Sequence, residues 1–369
     1  MRFESLQMLR GIAAVWVVAF HMQCNLDPHA AALPFSGSDL MRKGYLGVDL
    51  FFVISGFVIA WTALYKPGPH DPPTQFLLKR LIRVAPPYWV ATLVFAVLCD
   101  PISIGLGPII RSLLFLPGAP DTAPNYGNPV LLIGWSLNYE IYFYIAFAAI
   151  LYFGRNLAFQ VSYFTVTLIL LPAILAGGVS TNPEHLYKGI SNKYVLLATN
   201  PIILEFIFGM MLARLYRSLP GSLGRLYVWL TLLASIAIFA TALMLDEPHM
   251  SIVFRGLPCA ILVAGLLVAE RYGLLPVSPQ LSYLGEISYS IYLTHLFVLL
   301  LVKAIYETSP GQHYAQIAQY LITVAAVFAL ARIFYKYVES PILQFGKRLG
   351  NRRRGHSKPA AESALSRVK

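Results

Sequence analysis

The chain has 369 residues, 57% of them hydrophobic and 12% charged, with a formal net charge of +11 and a mean hydropathy of +0.63. An ordinary soluble domain carries about twice that charged fraction, so a water-soluble globular fold is excluded. Apolar runs of about 20 residues, long enough to cross a bilayer core at 1.5 Å per residue, recur from end to end and leave no room for a soluble domain.

In chain order the spans are expected at 6–24, 44–65, 86–100, 130–153, 157–176, 198–218, 225–245, 250–269, 285–306 and 315–338. The fold class is therefore an all-α polytopic membrane protein of about ten helices. A transmembrane domain is expected over 1–345, followed by a basic, disordered cytoplasmic tail over 346–369. A cleaved signal peptide is the competing reading of the first span. Against it, Arg10 interrupts the apolar region and no A-x-A-like site follows Cys24.

Cations collect in alternate loops: Arg2, Lys66, Lys79, Arg80, Arg83, Arg155, Arg214, Arg217, Arg225, Arg271 and the tail from Lys347 fall on one side, few on the other. By the positive-inside rule both termini face the cytoplasm. That distribution points to membrane lipids rather than nucleic acid as the partner of the positive charge. The three cysteines, Cys24, Cys99 and Cys259, show neither a disulfide framework nor metal spacing. No metal site and no permanently bound cofactor are expected.

An ionised side chain inside a bilayer costs at least a few kcal/mol, which makes each intramembrane ionisable residue a functional candidate. Arg10 and His21 lie eleven residues apart in the first span, almost three helical turns, so they share a face roughly 16 Å apart. Asp49 in the second span is expected at a depth similar to that of His21. A carboxylate on one ring nitrogen would fix the tautomer and raise the basicity of the other. Glu140, in GWSLNYEIYFY with Trp135, Ser136, Tyr139 and Tyr142, is a second candidate partner for His21. Glu205 reads as structural, and an acidic Asp49 near a helix start also has a plain dipole reading. His295, in SYSIYLTHLF, either lines the same cavity or acts as polar glue with Ser288, Ser290 and Thr294. Arg80 and Arg83 share a helical face whose paired guanidinium groups suit a phosphate; snorkelling to headgroups is the bland alternative. Pro86 and Pro87 are expected to end that segment.

Five motifs in order, LRGIAAVWVVAFH, GYLGVDLFFVISGFVIA, FLLKRLIRVAPPYW, WSLNYEIYFY and ISYSIYLTHLF, resemble membrane-bound acyltransferase family 3. That family O-acetylates exopolysaccharides, lipopolysaccharide O-antigens, Nod factors and some antibiotics. The resemblance implies a ten-helix enzyme of the bacterial inner membrane that transfers an acyl group, usually acetyl, from cytoplasmic acyl-CoA to a carbohydrate hydroxyl, free or lipid-linked. On the family's pattern His21 is catalytic, Arg10, Arg80 and Arg83 hold the CoA phosphates, and Trp135, Ser136 and Glu140 fall on its Trp-Ser-Leu-x-x-Glu. The short basic tail resembles the stand-alone type, closest to rhizobial exopolysaccharide acetyltransferases.

The expected mechanism places acyl-CoA on Arg10, Arg80 and Arg83 with its thioester toward the outer half. There His21, oriented by Asp49 or Glu140, acts as base or carries the acyl group itself. A proton-coupled transporter or flippase also fits ten spans with buried His, Asp and Glu. No internal repeat and no matched pair of broken spans supports it. Transfer to a lipid or a secondary metabolite is the nearer alternative; the His-x4-Asp motif of soluble-facing lipid acyltransferases is missed by one residue between His21 and Asp27.

Overall fold

The computed structural model describes residues 2–26, 37–98, 104–245, 251–307 and 316–356, and these are helical with connecting loops. Among them nine helices are long and apolar enough to cross a membrane. The expected fourth span is the 17-residue helix α6 (Gly134–Ile150), shorter than the other nine. Helix α1 (Glu4–Leu26) carries both Arg10 and His21. A short α2 (Gly37–Arg42) and a 3-10 turn lead into α3 (Leu46–Ala60). Helix α4 (Pro73–Leu98) follows, and then α5 (Leu106–Leu113) in the loop before α6.

The second half contains α7 (Leu157–Ala176), α8 (Lys193–Thr199), α9 (Ile203–Ser218), α10 (Arg225–Met244), α11 (Ile252–Arg271), α12 (Pro279–Glu286), α13 (Ser288–Glu307), α14 (Gln316–Phe334) and α15 (Ser340–His356). Several expected boundaries move. Pro86 and Pro87 do not end a segment but lie inside the 26-residue α4, so Arg80 and Arg83 ride on the spanning helix itself. The prolines remove two amide donors yet neighbouring helices tolerate this in a membrane bundle; Tyr289 donates to the Val84 carbonyl beside them at 2.8 Å. The tail boundary at 346 falls inside α15, which runs to His356; residues 357–369 of the expected tail lie outside the described residues.

Close packing follows from small residues where helices cross. A Cβ on Gly56 of α3 would stand 2.1 Å from the Phe206 carbonyl oxygen of α9, and one on Gly209 would stand 2.1 Å from that of Val53. The two backbones therefore touch, with no side chain between them. Against α1, Gly44 meets Trp16, Gly47 meets Ala13, and the Phe3 ring packs on Phe57 at 5.1 Å and Trp61 at 5.5 Å. Each step forward along α3 is a step back along α1, an antiparallel register.

The end of the bundle that holds the chain's N-terminus is tied by long-range polar contacts. The Glu270 carboxylate accepts the amide N–H of Glu4 at 2.8 Å and of Ser5 at 3.0 Å, two donors that the first turn of α1 leaves without helical acceptors. Arg271 beside it donates to the carbonyls of Tyr216 and Leu219, at the end of α9, at 2.9 and 3.1 Å. At the other end the loop before α6 is folded onto the bundle: Tyr139 donates to the Pro124 carbonyl at 2.7 Å and Lys193 to that of Gly118 at 3.0 Å.

Candidate active site

A cavity of about 760 Å³ enters the bundle between α1, α3, α4, α6 and α13. That size suits a drug-sized or cofactor-sized ligand. Arg2, Lys66 and Lys347 line it together with Arg10, Arg80 and Arg83, so it is strongly cationic. The register of α1 puts Arg2 at its mouth and Arg10 two turns deeper. The expected grouping of Arg10, Arg80 and Arg83 is therefore what the structure shows: helices 1 and 4 present all three to one space.

Their surroundings differ. Arg80 donates to the Thr62 hydroxyl at 2.8 Å and lies over the Phe76 ring. Arg10 sits within electrostatic reach of Arg83 and of the carboxylates of Glu339 and Glu140. Among the described residues neither Arg10 nor Arg83 donates a hydrogen bond to the protein. Two neighbouring guanidinium groups with their donors unspent form an anion site, since each offers planar forks to a phosphate.

Glu140 faces this cavity, not His21. It accepts hydrogen bonds from Ser55 at 3.2 Å and from Tyr144. Ser136 also lines the cavity, and its hydroxyl pairs with that of Tyr292 at 2.8 Å. Tyr292 in turn donates to the Ile133 carbonyl at 2.9 Å. Tyr292 is also the lining residue that touches the buried His295.

Directly behind the Tyr292 ring stands His295, fully buried, with ring centres 6.0 Å apart. His295 Nε2 lies 3.2 Å from His21 Nδ1. His21 thus meets the second histidine, while Glu140 and Asp49, the two carboxylates expected from the sequence, are engaged elsewhere. Asp49 is placed elsewhere, on Arg255 of α11, with oxygen–nitrogen distances of 3.1 and 3.2 Å. The physical reason is register. The second span starts at Asp39 and not near 44, so Asp49 is about ten residues inside it and level with roughly residues 11–15 of α1. His21 stands roughly 9–15 Å further along.

Two other expected pocket residues also leave the cavity. Tyr139 is fully buried with its hydroxyl on Pro124, and Trp135 packs edge-on against it at 6.1 Å. Both brace the loop before α6.

Three contributors were missed in the sequence. Arg255 stands in the apolar run IVFRGLPCAILVAGLLVA, where the intramembrane-charge rule applied to Arg10 would have found it. Glu339 falls one residue beyond the last expected span; a widened π turn at Tyr335–Glu339 carries it inward. There it accepts from Ser290 at 2.5 Å and faces Arg83 and Arg10. Tyr292 is an aromatic within an apolar pattern and carries no local signal. The described residues hold no cluster able to bind a metal ion.

Asp49, Arg255 and the adjoining Glu205, both carboxylates almost fully buried, form an ion cluster joining α3, α9 and α11. One guanidinium balances one carboxylate. Arg255→Met is therefore expected to cost about 3–5 kcal/mol of stability, as for other broken buried pairs. Asp49→Asn is expected to cost less, because Glu205 remains to balance Arg255. Heating midpoints in detergent, read by size-exclusion chromatography, give the order; an Asp49→Asn variant less stable than Arg255→Met would refute this account.

With the site in view, comparison with known proteins decides the family. A family model described as an acyltransferase domain matches residues 3–336. The chain belongs to acyltransferase family 3. It is 32% identical over 317 residues to the exopolysaccharide production protein ExoZ of Rhizobium meliloti, an alignment covering 82% of this chain and 91% of that relative. It is similar also to the acyltransferase MdmB of Streptomyces mycarofaciens, at 26% identity over 81% of this chain and 79% of MdmB. Peptidoglycan O-acetyltransferase OatA of Listeria monocytogenes is 23% identical over 93% of this chain, which spans only 56% of OatA. No solved structure matches the chain. The protein is therefore an acyltransferase, a multi-pass membrane enzyme with O-acetyltransferases among its relatives. The transporter reading falls away.

Proposed function

We propose that this enzyme transfers an acetyl group from acetyl-CoA to a hydroxyl of an exported carbohydrate. The observation that carries the reading is the cationic cavity whose lining residue Tyr292 stands against His295, which in turn meets His21. Arg10, Arg80 and Arg83 hold the donor's phosphates, and the mouth lined by Arg2, Lys66 and Lys347 faces the cytoplasm, in keeping with the cation distribution along the chain. The pantetheine arm points at Tyr292, which shifts to admit the thioester to His21.

His21 then removes the proton from the acceptor hydroxyl as that oxygen attacks the thioester carbonyl carbon. The carbon–sulfur bond breaks, and the leaving thiolate takes the proton from His21. Acetyl ester and CoA thiol are the products, and the imidazole is restored. The exopolysaccharide and peptidoglycan named for the relatives make a glycan the acceptor of choice.

The test is purified full-length enzyme in nanodiscs with acetyl-CoA and glycan acceptors. CoA thiol release that depends on the acceptor and matches new O-acetyl ester, read by NMR of the glycan, is the expected result. Acetyl-CoA turnover absent with every glycan, together with ester formation on a lipid or a small metabolite, would overturn the acceptor assignment.

A further inference from the structure

The hydrogen bonds around the two histidines determine which ring nitrogen carries each proton. His295 Nδ1 lies 2.8 Å from the Tyr292 carbonyl oxygen and 3.2 Å from that of Ile291. A carbonyl oxygen only accepts, so His295 Nδ1 carries the hydrogen and donates. In the neutral ring Nε2 then holds the lone pair. That lone pair faces His21 Nδ1 at 3.2 Å.

His21 Nδ1 also lies 3.0 Å from an acceptor on its own helix, the Val17 carbonyl oxygen one turn back on α1. With an acceptor on each side, Nδ1 of His21 carries the hydrogen, and its lone pair stands on Nε2. Neither contact involves a carboxylate.

We infer that His295 is a positioning residue: it holds His21 in the tautomer whose Nε2 is the basic nitrogen and keeps the ring plane aimed away from α13. This rests on the reading of His21 as the base. The arrangement does the work commonly done by a carboxylate, with a neutral acceptor in its place. When His21 takes the substrate proton on Nε2, its Nδ1–H still has these two acceptors, whose fixed dipoles stabilise the imidazolium. The chain ends at backbone carbonyls, which take no proton, so His295 orients and does not relay.

Two measurements on the full-length enzyme test this. In ¹⁵N-histidine-labelled enzyme, with the His21 signals assigned by their loss in His21→Gln, wild type is expected to show Nδ1 as the protonated nitrogen and Nε2 as the unprotonated one. In His295→Phe the His21 signals are expected to shift toward a mixture of tautomers. In kinetics, His295→Phe is expected to lower kcat on the order of 100-fold while KM for acetyl-CoA changes less than about threefold. His295→Gln places an amide oxygen where Nε2 stood, and is expected to recover kcat to within about tenfold of wild type.

An unprotonated His21 Nδ1 in wild type would overturn the inference, as would full kcat in His295→Phe. Equal losses in the Phe and Gln variants would do so too, marking a role in packing alone. Failure of the underlying reading looks different: His21→Ala would itself keep full activity.

Discussion

His21→Ala is expected to abolish acetyl transfer while leaving acetyl-CoA affinity nearly unchanged. The cavity proposed for the donor is lined by α1 only as far as Arg10, and His21 is not among its lining residues. Removing the imidazole therefore removes the base and spares the phosphate contacts. General-base catalysis contributes about 10²–10⁴-fold, so the loss in kcat is expected in that range or below detection. His21→Gln, which keeps polarity and size but has no basic nitrogen, is expected to be as inactive. The variants should reach the membrane at wild-type levels, because His21 is not part of the Gly44 and Gly47 contacts that set the position of α1. Glycan O-acetylation by NMR, normalised to membrane-extracted protein, is the measurement. Full acetylation in either variant would remove His21 from the chemistry.

The second large effect is expected at the anion site. Arg83→Ala should raise the Kd for acetyl-CoA about 10- to 100-fold, which corresponds to one or two charge-assisted hydrogen bonds at about 1.5–3 kcal/mol. Arg80→Ala should cost less in binding and more in stability, because Arg80 already spends a donor on Thr62 and stacks over Phe76. Arg83→Lys should recover only part of the affinity, since an ammonium lacks the planar fork. Isothermal titration with the non-hydrolysable thioether analogue of acetyl-CoA separates binding from turnover. An unchanged Kd in Arg83→Ala would return that residue to the role of headgroup anchor.

Opposing charge within the same cavity sets the background for both. Glu339, held by Ser290, faces Arg10 and Arg83 from α14's widened last turn. It keeps two like-charged guanidinium groups together before an anion arrives. Glu140 does the same from α6.

Much of this was readable along the chain. The apolar runs marked the nine candidate spanning helices found among the described residues, because a bilayer demands about 20 apolar residues regardless of what they pack against. The eleven-residue spacing of Arg10 and His21 placed both on one face of α1, as the continuous helix bears out. The spacing of Arg80 and Arg83 put both on one helical face, and α4 carries both into the cavity. The α4 boundary was misread because Pro86 and Pro87 are strong helix breakers in water, whereas a crowded bundle accommodates them.

Sequence by itself thus determined the helices and what each one carries, since hydropathy and helical periodicity act locally. Which side chains meet was decided by the tertiary structure. Asp49 meets Arg255 and His21 meets His295 because Gly44 and Gly47 let α3 settle against α1 at one register. Sliding that register by about two turns would bring Asp49 toward the level of His21. Such a shift changes no residue's hydropathy, so no pattern along a single helix records it.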